Sequence, residues 1–105
     1  MRPISKGANM KIAGTNFEVR IVSRDETLDN DAAIYESSSQ IKIAKAEYQF
    51  MQRMLWHEIV HAILDMNGDH SLSNNEGFIE RTANMIHQII NDNPDLYREL
   101  REERD

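Results

Sequence analysis

Residues 46–67 contain neither glycine nor proline, and Met51, Leu55, Ile59, Ala62, Ile63 and Met66 recur through them at spacings of three and four. That period belongs to an α-helix, and Gly68 follows as its C-terminal cap. With Met51 at the origin of a helical wheel, Leu55, Trp56, Ile59, Val60, Ala62, Ile63 and Met66 fill roughly 20–180°, whereas His57, Glu58, His61 and Asp65 share an arc of roughly 240–340°. A helix apolar over so much of its circumference belongs inside the domain, with its polar stripe turned towards a cleft. Whatever this 105-residue chain folds into is built around that helix.

The flanking sequence supplies the rest of one small domain. Phe17, Val19 and Ile21 alternate with Glu18 and Arg20, the period of a half-buried strand over residues 15–23. Residues 24–31 (RDETLDND) read as a polar loop. Residues 32–37 (AAIYES) and 40–44 (QIKIA) read as two short strands joined through Ser37, Ser38 and Ser39. Beyond Gly68, residues 68–75 are turn-rich. A second helix is expected from Ser73, where Ser73-x-x-Glu76 has the form of a capping box, to about residue 91. Asn93-Pro94 opens a third, short helix that Leu96 and Leu100 would dock, and the last residues (REERD) form a solvated end. Strands first and helices after predict an α+β domain over residues 15–105. Its small antiparallel sheet of about three strands would pack against the central helix and one or two C-terminal helices. Residues 1–14 are expected to be a lead-in to that domain.

Composition narrows the chemistry. There are four histidines and no cysteine, and the formal net charge is −6. Without cysteine there is no disulfide, thiolate metal site or cysteine nucleophile, so a transition metal would need histidine and carboxylate ligands. An acidic chain is a poor fit to a phosphate backbone, and no nucleic-acid partner is expected. No run approaches the roughly 20 apolar residues of a membrane span, and no signal-peptide pattern follows the two charges of residues 1–10. A cytoplasmic protein with no membrane partner is the expectation.

His57-Glu58-Ile59-Val60-His61 is an H-E-x-x-H motif in the middle of the long helix. Histidines at i and i+4 stand one turn apart on nearly the same side, so both imidazoles can reach one cation, and neutral imidazole suits zinc. Glu58 projects about 100° from His57, badly placed as a ligand but able to take a proton from a water beside the metal.

Three protein ligands and one open position make a catalytic zinc site. The pattern H-E-x-x-H-x-x-G-x-x-H fails here, because Leu64 and Asn67 stand at its Gly and His positions. Glu76 has a role as the capping-box acid. Glu80, one turn further along and beside small Ala83, is the favoured third ligand, with Glu76 and His70 as the alternatives. His87, two turns beyond Glu80, is expected at the cleft rim or the surface.

The stretch LWHEIVHA (residues 55–62), followed by Glu80-Arg81-Thr82-Ala83-Asn84, resembles the gluzincin arrangement of H-E-x-x-H plus a glutamate on the next helix. More closely it resembles the small ImmA/IrrE-type metallopeptidase-like proteins common in bacteriophages and mobile elements. In that family an E-x-x-A-N or E-x-x-A-D segment supplies the third ligand, which implies Glu80. The QIKIA strand before the zinc helix matches the family's layout. Many gluzincins place Asp where Asn84 stands; here the amide oxygen of Asn84 would orient a zinc histidine without adding charge. At 105 residues a bare catalytic domain is the expectation, without the DNA-binding module of larger members.

The resemblance implies a zinc-dependent endopeptidase with His57, His61 and Glu80 on the metal, Glu58 as general base, and an intracellular regulatory protein as substrate. The strand at residues 40–44, if it is a sheet edge, would hold an extended peptide by strand addition. Tyr35, Tyr48, His70 and His87 are candidates for a further oxyanion donor. The alternatives are a zinc-containing, non-enzymatic anti-repressor or inhibitor, a four-ligand structural zinc site closed by His70 or Asp65, and a metal-free helical module.

Overall fold

The computed structural model describes residues 7–103. Four strands come first: β1 (Ala8–Ile12), β2 (Thr15–Val22), β3 (Ala32–Tyr35) and β4 (Gln40–Ala44). Four helices follow: α1 (Tyr48–Met66), α2 (His70–Ser73), α3 (Glu76–Asp92) and α4 (Leu96–Glu103). The fold is therefore α+β, as the order of elements predicts.

The sheet differs from the expected one in two ways. Part of the supposed lead-in is a strand: β1 pairs antiparallel with β2, from Ala8 opposite Val19 to Ile12 opposite Thr15. Residues 1–6 of that lead-in lie outside the described residues. The connecting turn is Ala13-Gly14, with φ of +49° and +83°. Two successive positive φ angles are the mark of a tight hairpin turn, usually announced by Asn-Gly or Asp-Gly. Ala-Gly carries no such signal, which is why this hairpin is hidden in the sequence.

The sheet is also mixed, with strand order β1-β2-β4-β3. The polar loop after β2 carries the chain past the position of β4, so the β3–β4 hairpin returns with β4 between its neighbours. β4 runs parallel to β2, with Val19 opposite Ile41 and Ile21 opposite Ile43, and antiparallel to β3. The condition for strand addition at residues 40–44, an edge position, is thus not met: β4 is interior, and Ile41 is fully buried there. β3 takes the edge instead.

Helix α1 is the middle layer. Glu47 caps its start by accepting a hydrogen bond from the Phe50 amide at 3.0 Å. Ile59 and Ala62 pack on the sheet against Ile12, Phe17, Val19, Ile41 and Ile43. Val60 packs on the other side against Ile79 and Ala83 of α3, and Trp56 touches both groups. Each large aliphatic side chain so buried stabilises the fold by about 1.5–3 kcal/mol, and these two contacts fix the rotation of α1. Small Ala83, also buried, lets α3 approach closely.

The start of α3 is later than the capping box predicts. Asn75 is the cap, accepting a hydrogen bond from the Phe78 amide at 3.1 Å. Ser73 closes the single turn of α2 and is buried. This shift leaves both Ser73 and Glu76 without a capping role. The docking expected of α4 is not found: Leu96 and Leu100 are 45% and 58% exposed. The chain leaves α3 at Asn93, whose side-chain amide donates to the Ile89 carbonyl at 2.9 Å, and α4 departs from the core. Among the described residues, no helix is long and apolar enough to cross a membrane.

Candidate metal centre

The two histidines of α1 share one side, as their spacing demands. Their ring centroids lie 5.0 Å apart. The carboxylate of Glu76, at the first position of α3, reaches across to both: Oε2 lies 3.3 Å from His57 Nε2 and Oε1 lies 3.3 Å from His61 Nε2. One ligand atom from each of His57, His61 and Glu76 lies within 4.8 Å of the others, a group that could hold a metal ion. A tetrahedral site with metal–ligand bonds of about 2.0–2.1 Å has its ligand atoms about 3.3–3.4 Å apart. Each imidazole nitrogen lies about that far from its own carboxylate oxygen, Oε2 facing His57 and Oε1 facing His61. The donor set is two imidazoles and one carboxylate, with no thiolate.

The remaining expected residues fall out as follows. Glu80 is exposed and lines an open pocket together with His57 and Glu58. It stands beside the three-residue group rather than within it. Asn84 is exposed and hydrogen-bonds to neither histidine of the motif. His70 lies away from the group on the short α2, its Nδ1 3.1 Å from Asp65 Oδ1. His87, expected at a rim or surface, is buried; its Nε2 lies 3.1 Å from Gln49 Oε1, tying α3 to the start of α1. Tyr48 is exposed on the first turn of α1.

Glu76, the alternative to Glu80, is the acid that joins the two histidines; the sequence pattern favours Glu80 because a capping box explains Glu76, whereas Asn75, an equally good cap two residues after Ser73, takes that role. One residue outside the expected set enters the site: Ser73, whose Oγ lies 3.0 Å from His61 Nδ1.

The electrostatics separate the roles. Burial lowers the pKa of the His57 ring and the charge of His61 adds to this, against the opposing pull of Glu76 and Glu80. Burial thus favours the neutral imidazole that a metal requires. Glu58 is 7% exposed. Burial pushes its carboxyl up from 4.5 to about 7, and the charge of Glu76 adds to the shift. Its Oε2 is buried and has no hydrogen-bond partner in the protein. Leaving a buried polar atom unpaired costs about 1–3 kcal/mol, so such an atom calls for an explanation.

The pocket in front of Glu58 is rimmed by Asn30, Asp31 and Ala32, which lead into β3. That rim is braced by its own hydrogen bonds. The buried Thr27 hydroxyl lies 2.9 Å from the Arg24 carbonyl and 2.7 Å from the Asn30 carbonyl, and Arg24 pairs with Asp31 at 2.6 Å. The loop read from sequence only as polar therefore positions one wall of the pocket.

Comparison of the chain with protein-family models, with curated proteins and with solved structures gives no match.

Proposed function

We propose that this chain is a zinc-dependent endopeptidase of the gluzincin type, with the ImmA/IrrE-type metallopeptidases as the family its two short motifs point to. The observation that carries the reading is the buried, unpartnered Oε2 of Glu58 one residue from His57. A purely structural metal site has no use for such an atom, whereas a general base has. His57, His61 and Glu76 would hold the ion, a set read from their convergence on one point. Bound there, zinc would polarise a peptide carbonyl and acidify a water.

The protein's own groups do the rest. Glu58 takes a proton from the attacking water and returns it to the leaving amine. Its proton affinity, raised by burial in the metal-free protein, suits a group that must do both near neutral pH. The low dielectric around it strengthens its interaction with whatever enters the pocket. An extended peptide would align along β3, the edge strand whose first residue, Ala32, lines the pocket. Main-chain hydrogen bonds to that edge would orient the scissile bond without demanding a particular side chain. An intracellular regulatory protein is the proposed substrate class.

The test is zinc content and cleavage of a peptide library for wild type, Glu58→Ala, Glu76→Ala and Glu80→Ala. Glu58→Ala should keep zinc and lose cleavage by about 100-fold or more. Glu76→Ala should lose zinc, and Glu80→Ala should retain it. Zinc lost from Glu80→Ala but kept by Glu76→Ala would assign the third ligand as the family resemblance does. A wild type that binds zinc and cleaves nothing would favour a binding protein that keeps a protease site, and a wild type that binds no zinc would reject the proposal.

A further inference from the structure

Ser73 stands between His61 and Asp65. Its Oγ is 3.0 Å from His61 Nδ1, and on its other side it is near enough to Asp65 to help hold that carboxyl below its usual range. Ser73 itself is 4% exposed, so water does not compete freely for its hydroxyl. Asp65 is held from its other side by His70, whose Nδ1 is 3.1 Å from Oδ1. Burial acts to raise the Asp65 carboxyl, but the Ser73 hydroxyl, the hydrogen bond from His70 and the charges of His70 and His61 outweigh it. Asp65 is therefore an ionised acceptor with no proton to give.

The hydrogen count then fixes the direction of the chain. A serine hydroxyl has one proton. If that proton goes to the Asp65 carboxylate, Ser73 Oγ can only accept from His61, and His61 must carry its proton on Nδ1. Its Nε2 lone pair then faces Glu76 Oε1, 3.3 Å away. A lone pair facing a carboxylate is unfavourable unless a proton or a cation lies between them. The alternative orientation, with Ser73 donating to Nδ1, would leave Asp65 facing a lone pair in turn.

We propose that Ser73 is a positioning residue that accepts the His61 Nδ1 proton, donates its own to Asp65, and so commits His61 Nε2 to the cation. It does for His61 what Asn84 was expected to do, and it explains why α2, a single turn with no ligand of its own, stands where it does. The inference rests on the metal-site reading above. A histidine oriented in this way binds metal more tightly because ring rotation and the wrong tautomer are both suppressed.

The experiment measures zinc affinity by chelator competition together with the ¹⁵N–¹H signal of His61 Nδ1 in the zinc-loaded protein. Wild type should show a protected Nδ1–H. Ser73→Ala should bind zinc about 10–100-fold more weakly and lose that signal to solvent exchange. Ser73→Thr, which keeps the hydroxyl, should restore both. Asp65→Asn, on a partly exposed side chain, should weaken zinc in the same direction without disturbing the core. Unchanged affinity in Ser73→Ala and Asp65→Asn, or a weaker affinity with the His61 Nδ1–H signal intact, overturns the relay while leaving the metal site standing. A wild type that binds no zinc overturns both.

Discussion

Glu58 should make the metal-free protein less stable as the pH rises. Its carboxyl is pushed to about 7 in the fold, chiefly by burial, against an ordinary value of 4.5. A group whose folded pKa is raised contributes its full stability below the unfolded pKa and loses it as pH rises through the folded one. The loss therefore starts near pH 4.5 and is complete a little above pH 7. Each unit of difference corresponds to 1.36 kcal/mol, so 7 − 4.5 gives about 3 kcal/mol in all. Against a typical domain stability of about 5–15 kcal/mol, that is a large fraction for one side chain.

The assay is urea unfolding of wild type and Glu58→Gln in the presence of a chelator at pH 5, 6, 7 and 8. Histidines and other carboxyls titrate over the same range in both proteins, so the informative quantity is the difference between the two curves. Glutamine is nearly isosteric and does not ionise. Its advantage should grow by about 2–3 kcal/mol from pH 5 to pH 8. A difference that stays flat across that range would refute the claim that Glu58 is a buried, unpartnered carboxyl. It would remove with it the observation on which the general-base assignment stands.

Three further outcomes test the scaffold. Ile79→Ala, at a fully buried position between α1 and α3, should lower stability by about 2–5 kcal/mol in denaturant titration, and should also weaken metal binding because α3 carries Glu76. Asn75→Ala should cost about 1 kcal/mol through loss of the cap on α3, whereas capping by Ser73 would leave this substitution nearly neutral. Ala13→Asn should raise stability by about 0.5–1 kcal/mol, because Ala13 holds a φ of +49° that asparagine tolerates better than alanine, a change readable as an upward shift in melting temperature.

What the sequence discloses follows from where physical signals are redundant. Helix α1 is legible twice over, from its 3.6-residue period and from the H-E-x-x-H spacing, and the structure places His57 and His61 on one side as that spacing requires. β2 and β4 are legible because Phe17, Val19, Ile41 and Ile43 alternate with polar residues. β1 is not, since its turn is Ala-Gly and its face toward the core has only Met10 and Ile12 to offer. The mixed order of the sheet is a matter of which side of β2 a hairpin lands on, and alternation is the same in either case. Alternation therefore leaves open which strand of the β3–β4 hairpin forms the edge beside the pocket, and the structure gives that place to β3.

The choice between Glu76 and Glu80 shows the limit most sharply. The buried side of α3 is marked by Ile79, Ala83 and His87. Taking Ile79 as origin, Ala83 and His87 fall at about 40° and 80°, Glu76 at about 60° and Glu80 at about 100°. Both acids therefore lie on or beside the face that meets α1, and no periodicity separates them. What separated them in the sequence was a capping assignment: Ser73 as cap uses Glu76 on the backbone and leaves Glu80 for the metal. With Asn75 as cap the backbone amide is satisfied elsewhere, Glu76 sits at the start of the helix, and its carboxylate reaches both imidazoles. Two good cap residues two positions apart thus decide which carboxylate meets the histidines. The same displacement frees Ser73 to turn inward on His61. A single local competition between Ser73 and Asn75 for one helix end therefore sets both which carboxylate faces the two histidines and which hydroxyl meets His61.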